Sequence, residues 1–417
     1  MSVGAEIESL KERANAGDAG AQYALAARLS AAGDRDAATR WLEAAARGGS
    51  ADALFTLATR KVNSLESAAE AAAGLDKAAR MGSPTAARLL CVLEAIGVGV
   101  AQNEEAALQR MRALAQESDP AAARELAGLL AIADVDHPLI SALVERAGAA
   151  DPVNAAFALA RAAAGRPAGG PLFLRQCAAV LERARYPRAK QLAAPASAGG
   201  VAPPLEWGAV DSALTLAPRL APKAERLSSA PDAALRRAAV SPEICEYVIA
   251  FSGMRLGPSL VYDPTSDRMV RDPLRTSSTA CLAPLDLDLV IVVVNRIMRI
   301  AAEAPEENGE FLSVLRYLPG QQYRPHFDCI PPGPDLELSG QRAATALLFL
   351  NDDFEGGETH FTAADLKVRG ARGDILVFRN LLPDGALDPL SRHAGLPVAS
   401  GEKWLASKWF RTKKYRF

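Results

Sequence analysis

The sequence lacks an excess of charge of either sign. Its 417 residues carry 47 Lys and Arg against 49 Asp and Glu, a net charge of -2. A protein that binds nucleic acid or an anionic membrane through bulk charge needs a strongly basic surface. We therefore expect no nucleic-acid partner and no membrane partner, and we expect any recognition to be local.

Paired cysteines and long apolar runs are also missing. The five cysteines are scattered without a C-x-x-C pair, which excludes a disulfide framework or thiolate zinc site and favours a reducing compartment. The N-terminal residues show no basic-then-apolar signal pattern. The longest strongly apolar run, Leu289 to Val294, is far too short to cross a bilayer. These features predict a cytoplasmic protein, and the length predicts two or three domains.

The first half of the chain repeats a unit about every 32 to 36 residues. The copies begin at Gly17, Gly49, Gly82, Ser118 and Ala150, each with polar residues or proline before a run of alanines at helical spacing. This pattern predicts stacked helical hairpins over residues 1–191. Alanine at the contacts lets neighbouring helices approach closely.

The repeats resemble the tetratricopeptide superfamily, and within it the Sel-one-like branch. The resemblance rests on an A-x-x-L-A core and on closing segments such as Ala45-Ala-Arg-Gly48. Arrays of this kind present a concave surface to a peptide or protein. The resemblance therefore implies that the repeats bind a protein or peptide substrate, and a spacer or oligomerisation arm is the alternative.

The remainder of the chain divides into a linker and a β-rich domain. Prolines, alanines and glycines interrupt every candidate element in residues 192–235, which predicts a linker. Residues 236–417 change to short runs rich in β-branched and aromatic residues, separated by turns such as Gly356-Gly357. About eight strands in this length favour a sandwich or open barrel. Residues 289–302 fit a helix and a strand equally well.

Two histidines, one carboxylate and one lysine form the candidate chemical site. His326 and Asp328 end a strand-like segment, and residues two apart on a strand face the same way. His393 would complete a two-histidine, one-carboxylate face that leaves half of an octahedron open, which suits non-haem Fe(II). If Lys403 is buried it needs an anionic partner, and 2-oxoglutarate held by iron would supply one. A zinc site and chance spacing are the alternatives.

Four sequence blocks across residues 236–417 resemble the prolyl 4-hydroxylase family of 2-oxoglutarate- and Fe(II)-dependent dioxygenases. The blocks lie at residues 316–328, 347–361, 372–380 and 393–404. The resemblance implies a double-stranded β-helix, or jelly roll. In that fold His326, Asp328 and His393 bind iron, and Lys403 binds the oxoglutarate carboxylate.

The same resemblance implies further contacts in this site. Tyr317 and Thr359 match positions that contact oxoglutarate, and Tyr323 and Trp409 match positions near the substrate. L-Ascorbate is implied as the reductant.

Two positions depart from the family pattern. Arg392 stands before the distal histidine, where the family usually has an apolar residue, and Thr362 stands where proline usually follows the T-x-F block. Both positions lie near the expected mouth of the site, so the departures leave open how Arg392 affects selectivity.

These patterns together predict a multidomain protein in which an α-solenoid precedes a jelly-roll dioxygenase. The expected reaction uses molecular oxygen to hydroxylate a prolyl residue of a protein or peptide, with release of succinate and carbon dioxide. One alternative keeps the cofactors but takes another side chain or a small molecule as substrate. The other is a repeat scaffold with a catalytically silent barrel.

Overall fold

The computed structural model describes residues 3–60, 65–192, 202–218, 224–263, 268–271 and 273–416. Contacts divide the chain into two compact units, one reaching to Glu117 and the other running from Ser118 to Arg416. Across the described residues, every helix is too short or too polar to span a bilayer.

The described residues of the first unit form a run of α-helices. These are α1 (Val3–Asn15), α2 (Ala19–Ala31), α3 (Arg35–Arg47), α4 (Ala51–Thr59), α5 (Leu65–Arg80), α6 (Pro84–Ile96) and α7 (Glu104–Gln116). Helices adjacent in sequence pack against each other, and small side chains such as Ala26, Ala45 and Ala53 share a buried cluster with Leu42. The predicted helical hairpins are confirmed.

Polar caps and glycines set where these helices begin and end. Side chains such as Asp18 and Ser83 accept a hydrogen bond from the backbone N–H three residues on, which satisfies a free donor at the helix start. Gly17, Gly49 and Gly82 have φ near +90°, a conformation that glycine adopts without strain. Each of these glycines ends the preceding helix, so the repeat unit that begins there starts at a helix boundary.

The second unit begins with four more helices of the repeat pattern. These are α8 (Pro120–Ala133), α9 (Ile140–Ala147), α10 (Pro152–Ala163) and α11 (Pro171–Arg183), and they precede α12 (Trp207–Ala213), α13 (Pro242–Gly253), α14 (Leu289–Ala302) and α15 (Pro334–Ser339). Asp288 caps α14 by accepting a hydrogen bond from the Ile291 N–H at 2.9 Å. Residues 289–302 are therefore a helix, which decides between the two alternatives left open by the sequence.

Helices α8 and α10 pack against α13 in this unit, and α8 also contacts α14. Buried polar pairs accompany these contacts. Arg124 of α8 donates to the Tyr247 hydroxyl at 2.9 Å, and Arg161 of α10 donates to Glu243 at 3.2 Å. Buried charges of this kind are tolerated because each has a partner of opposite charge or a hydrogen-bond acceptor. The last hairpins of the repeat pattern thus share a compact unit with the β-rich region, whereas the sequence places the boundary at residue 191.

The strands of this unit are β1 (Glu225–Ser229), β2 (Asp232–Arg236), β3 (Gly257–Pro258), β4 (Val261–Asp263), β5 (Arg268–Val270), β6 (Ser278–Leu282), β7 (Leu312–Tyr317), β8 (Tyr323–His326), β9 (Arg342–Phe349), β10 (Phe354–Gly356), β11 (Thr359–Phe361), β12 (Leu366–Val368), β13 (Ile375–Arg379), β14 (His393–Gly395), β15 (Val398–Gly401) and β16 (Lys403–Arg411).

Two antiparallel sheets enclose a common core. The larger has the order β1-β2-β13-β9-β16-β7-β6-β3 and the smaller the order β12-β11-β14-β8, with β10 and β15 forming a separate pair. Leu315, Phe349 and Leu405 of the larger sheet share one buried cluster with Phe361 and Val368 of the smaller. Helix α14 contacts β9, β13 and β16 of the larger sheet. The predicted jelly roll is confirmed.

Residues 192–235, expected to be a linker, carry regular structure in their described part. The region holds α12, β1 and most of β2, and β2 pairs with β13 in the larger sheet. Ala233 and Leu235 alternate with exposed or half-exposed residues, and both enter the core. The strand escapes prediction because alanine and arginine have little β propensity and a sheet neighbour supplies the stabilisation.

Candidate active site

The three predicted metal ligands converge at the end of the smaller sheet. His326 ends β8 and lies opposite His393, which begins β14. Asp328 Oδ1 is 3.6 Å from His326 Nε2, and Asp328 Oδ2 is 3.7 Å from His393 Nε2. Each separation is below twice a typical metal–donor bond of about 2.1 Å, so one ion can bridge each pair. Among the described residues this is the one group of three metal-ligating side chains with donor atoms within 4.8 Å of one another.

Backbone contacts fix which nitrogen of each imidazole is free. His326 Nδ1 lies 2.8 Å from the Arg324 carbonyl oxygen, and His393 Nδ1 lies 3.0 Å from the Ser391 carbonyl oxygen. Because a carbonyl oxygen only accepts, Nδ1 carries a proton in each ring, and in the neutral form of each imidazole the lone pair is therefore on Nε2. In both rings Nε2 is the nitrogen that faces Asp328. A donor set of two imidazoles and one carboxylate fits Fe(II).

Two polar residues, one on β9 and one directly after β13, orient Asp328. Thr345 of β9 donates its hydroxyl to Asp328 Oδ2 at 2.8 Å, and Asn380 donates to the Thr345 oxygen at 3.0 Å. Burial alone would raise the pKa of Asp328, yet His393 and His326 beside it hold that pKa well below its usual range. Asp328 is therefore an anion held in one orientation, as a metal ligand needs to be.

His393 is neutral at physiological pH. Burial, reinforced by the neighbouring His326, lowers the pKa of His393 to about 4. Phe361 and Phe378 pack around its ring, with centroid distances of 5.8 and 4.8 Å. The imidazole is thus available to a cation without first losing a proton.

Lys403 lies at the start of β16, directly opposite Tyr317 of β7. Its side chain is buried, and Nζ donates to the Gly357 carbonyl at 2.6 Å. No carboxylate of the described residues forms an ion pair with Nζ. Burial lowers the pKa of Lys403 to about 8, an effect that Glu358 opposes and Arg369 reinforces. The site therefore presents a poorly solvated cation without an anionic partner, which favours binding of a carboxylate.

Tyr317 and Thr359 accompany Lys403 in the same cleft. Nζ of Lys403 is 5.5 Å from the centre of the Tyr317 ring. Burial raises the pKa of Tyr317, so its hydroxyl keeps its proton and can donate a hydrogen bond. Thr359 of β11 is buried and also lines the cleft, whereas His360 beside it pairs with Asp365 at 3.1 Å.

Aromatic side chains line another part of the cleft. The Tyr323 ring stacks on His326 with centroids 3.5 Å apart, and the Arg275 guanidinium lies 5.1 Å from the Tyr323 ring centre. The Arg342 guanidinium lies 4.1 Å from the centre of the Trp409 ring on β16. Arg342 is held in turn by Glu310, which accepts from its Nε at 2.7 Å. These contacts fix the orientation of both predicted substrate-facing residues.

The structure brings all eight predicted site residues to one cleft. They are His326, Asp328, His393, Lys403, Tyr317, Thr359, Tyr323 and Trp409. Leu315, Leu347 and Leu405 supply an apolar lining between the polar groups.

Three residues of the site escape the sequence analysis. Arg275 lies in a loop without a motif, so nothing in its surroundings marks it. Asn380 closes a family block without a spacing that links it to the ligands. Thr345 does carry a signal, because it is a polar residue inside the apolar strand Ala343-Ala-Thr-Ala-Leu-Leu-Phe349.

Arg392 and Thr362, the two residues that depart from the family pattern, are hydrogen-bonded to each other. The Thr362 N–H donates to the Arg392 carbonyl at 3.0 Å, and the Thr362 hydroxyl donates to the same oxygen at 3.3 Å. Proline at position 362 could make neither bond, since it has no N–H and no hydroxyl. The side chain of Arg392 is exposed next to His393.

Comparison with known proteins follows the same division of the chain. A model of the 2OG-Fe(II) oxygenase superfamily matches residues 312–411. Prolyl 4-hydroxylase 1 of Arabidopsis thaliana is 39% identical over 188 residues, which cover 42% of this chain and 66% of that protein. Probable prolyl 4-hydroxylase 3 of the same plant is 34% identical over 211 residues, covering 46% of this chain and 73% of that protein. The chain belongs to the prolyl 4-hydroxylase family. The resemblance predicted from the four blocks is confirmed, and the barrel is a 2-oxoglutarate- and Fe(II)-dependent dioxygenase domain.

Solved structures resemble each part of the chain separately. A viral collagen prolyl hydroxylase from Paramecium Bursaria Chlorella virus-1 is 26% identical, with a TM-score of 0.34 and coverage of 42% of this chain and 94% of that one. A Sel1 repeat protein from Oxalobacter formigenes is 30% identical, with a TM-score of 0.26 and coverage of 28% and 93%. The chain spans about two thirds to three quarters of the length of the curated prolyl 4-hydroxylases named above.

Proposed function

We propose that this protein hydroxylates a prolyl residue of a protein or peptide, using Fe(II), 2-oxoglutarate and molecular oxygen and releasing succinate and carbon dioxide. The proposal rests on the observation that two features lie in one cleft. A two-histidine, one-carboxylate group faces the cleft, and so does a buried lysine that forms no ion pair with any carboxylate in the described part of the chain.

The proposed roles divide among the eight residues of the cleft. His326, Asp328 and His393 hold the metal through Nε2 and carboxylate oxygens. The Lys403 ammonium and the hydroxyls of Tyr317 and Thr359 bind the carboxylate of 2-oxoglutarate farthest from the metal. When bound, iron and oxoglutarate together supply the oxygen-activating chemistry that replaces a carbon–hydrogen bond by a hydroxyl group.

Other residues of the cleft orient the substrate and exclude water. Leu315, Leu347 and Leu405 keep the co-substrate pocket apolar, which strengthens the attraction between Lys403 and a carboxylate. Tyr323 and Trp409 present flat faces suited to a proline ring. Because His326 stacks on Tyr323 at 3.5 Å, a substrate held on Tyr323 lies next to a metal ligand.

We further propose that the helical repeats bind the protein that carries the target proline. The support is the array of hairpins that continues through α11 in the unit that holds the barrel. Two finer proposals accompany it. L-Ascorbate is the reductant, as in the family that the motifs resemble, and the compartment is the cytoplasm. All five cysteines are free thiols in the structure, which is typical of a reducing environment.

An anaerobic titration with Fe(II) and 2-oxoglutarate tests the proposed site. Oxoglutarate chelated to iron gives a visible charge-transfer band, and we expect this band with the unsubstituted protein. H326A is expected to lose it. If no band forms under reducing conditions, the proposed co-substrate site is wrong.

A further inference from the structure

Asn351 clamps the backbone on both sides of Lys403. Its Nδ2 donates to the Glu402 carbonyl at 2.7 Å, and its Oδ1 accepts from the Trp404 N–H at 2.7 Å. These are the peptide groups that precede and follow Lys403. Asn351 is fully buried, so no water can replace these bonds at low cost. The direction in which the Lys403 side chain leaves β16 therefore depends on Asn351.

Asp353 holds Asn351 in this orientation. The Asn351 Nδ2 that reaches Glu402 also donates to Asp353 Oδ1 at 2.7 Å. A carboxylate accepts only, so this contact fixes which end of the Asn351 amide is the nitrogen. The amide oxygen is consequently turned to the Trp404 N–H.

Asp353 is bound in turn by an arginine that follows the last repeat helix, α11. Arg188 Nη1 donates to both oxygens of Asp353, at 2.9 and 3.1 Å. Arg188 Nε donates to both oxygens of Glu246 on α13, at 3.2 and 3.1 Å. Arg188 and Glu246 are buried. One guanidinium thus joins the segment after α11, helix α13 and the turn before β10.

Glu246, the residue of α13 that binds Arg188, is itself held in place. The Tyr186 hydroxyl donates to Glu246 at 2.6 Å, so Glu246 has partners from two residues of the same segment. A planar guanidinium whose Nε and Nη1 both donate to carboxylates has little freedom to move. Displacing residues 186–188 would therefore displace Asp353, and with it the amide that clamps Lys403.

We propose that Arg188 is a positioning residue for the co-substrate end of β16, acting through Asp353 and Asn351 on the backbone at Lys403. The inference rests on the proposed function, because it assumes that Lys403 binds oxoglutarate. It adds a residue outside the jelly roll to the co-substrate site. It also connects the segment after the last repeat helix, α11, to the co-substrate site through a series of hydrogen bonds.

Arg161 offers a matched control. It is also a buried arginine, located on α10, and it pairs with a buried glutamate of α13, Glu243, at 3.2 Å. Removal of either arginine leaves its glutamate with one other donor, Arg166 for Glu243 and Tyr186 for Glu246. Arg161 makes no hydrogen bond to Asp353 or Asn351 among those found in the described residues. A general loss of stability at this contact would affect both variants, whereas a positioning role affects only R188M.

The experiment measures oxoglutarate affinity by calorimetry on the full-length, Mn(II)-loaded protein without oxygen turnover. We expect R188M to raise the Kd for 2-oxoglutarate about ten-fold, at the lower end of what loss of an outer partner costs a metal ligand. D353A, which removes the carboxylate that joins Arg188 to Asn351, changes an exposed residue and should raise it similarly. The R188M/D353A double variant should be no worse than either single variant, because the residues act in series. R161M should stay within about two-fold.

Two further measurements separate positioning from folding. The Kd for Mn(II) should remain within about two-fold in every variant, because the metal ligands lie on β8, just after it and on β14, and not on β16. In turnover, the KM for oxoglutarate should rise while kcat is unchanged. If R188M does not fold, D353A carries the test, since Arg188 then keeps Glu246 as its partner.

The possible results distinguish this inference from the proposed function. Equal increases in R188M and R161M, or a normal Kd in D353A, would overturn the role of Arg188 and leave the proposed function standing. If the unsubstituted protein does not bind oxoglutarate, or if K403M binds it normally, the proposed co-substrate site is overturned and the inference with it.

Discussion

Replacement of Lys403 by methionine should stabilise the ligand-free protein while weakening its affinity for oxoglutarate. Methionine has a similar length and no charge. Burial lowers the pKa of Lys403 from 10.5 to about 8. At about 1.4 kcal/mol per tenfold change in proton affinity, the charged form at pH 7 costs about 3 kcal/mol. Loss of the bond to the Gly357 carbonyl subtracts about 1 kcal/mol, so the net gain is about 2 kcal/mol.

The sign of the pH dependence follows from the same pKa. Between about pH 8 and pH 10.5 the unfolded chain holds the Lys403 proton and the folded protein does not. The stability of the unsubstituted protein therefore rises with pH in this window, relative to K403M. The advantage of K403M is complete at pH 7 and disappears as the pH approaches 10.5.

K403M should bind oxoglutarate more weakly than the unsubstituted protein, although it is the more stable of the two. Removal of one partner from a buried charge pair costs about 2 to 5 kcal/mol, which corresponds to about 30- to 3,000-fold in Kd. Urea unfolding of the metal-free protein, followed by fluorescence of the buried Trp404, measures the stability, and calorimetry on the Mn(II)-loaded protein measures the Kd.

Lys408 is the matched control on the same strand. It is also buried, donates to one backbone carbonyl, that of Glu310, at 2.7 Å, and has its pKa lowered by burial to about 8. It lies five residues from Lys403 and faces the opposite side of β16, outside the cleft lining. K408M should gain stability as K403M does and bind oxoglutarate normally. A K403M protein that is less stable than the unsubstituted protein at pH 7, with no change in that difference at pH 9.5, would refute the reasoning.

Three further predictions concern the same unit. The Kd for oxoglutarate should rise with pH above about 8, by up to about ten-fold per pH unit, because Lys403 must be protonated to bind a carboxylate; a flat Kd up to pH 9.5 by calorimetry would contradict this. T345V should weaken metal binding about 10- to 100-fold because Asp328 loses its hydroxyl donor, and an unchanged Mn(II) Kd would oppose that role. A chain without residues 1–117, its folding checked by circular dichroism, should keep the KM for a short proline peptide and raise the KM for the protein substrate at least about ten-fold; equal KM values would argue against binding by these repeats.

The metal ligands could be predicted because their positions follow from local rules. His326 and Asp328 are two residues apart at the end of a strand, and the family blocks supply the position of His393. Lys403 and Tyr317 were predicted separately, and the pairing of β16 with β7 makes them direct neighbours. Sequence reasoning succeeds for these residues because each lies in a family block whose order along the chain can be recognised without knowing the tertiary contacts.

The supporting contacts could not be predicted, since they depend on which elements become neighbours. Thr345 of β9 reaches Asp328 over a separation of 17 residues, and Arg188 reaches Asp353 over a separation of 165 residues. The strand β2 forms because β13 offers it a pairing edge, although its own composition suggests a linker. Contacts of this kind are set by tertiary packing and leave little trace in local composition.

The most direct test of the account is mass spectrometry of proline-containing peptides incubated with the protein, Fe(II), oxoglutarate and ¹⁸O₂. We predict one labelled oxygen on a prolyl residue, formed together with succinate, and neither product with H393A. Succinate formed without labelled proline in any peptide would contradict the proposed substrate. Absence of both products from the unsubstituted protein would contradict the assignment of the cleft as a working dioxygenase site.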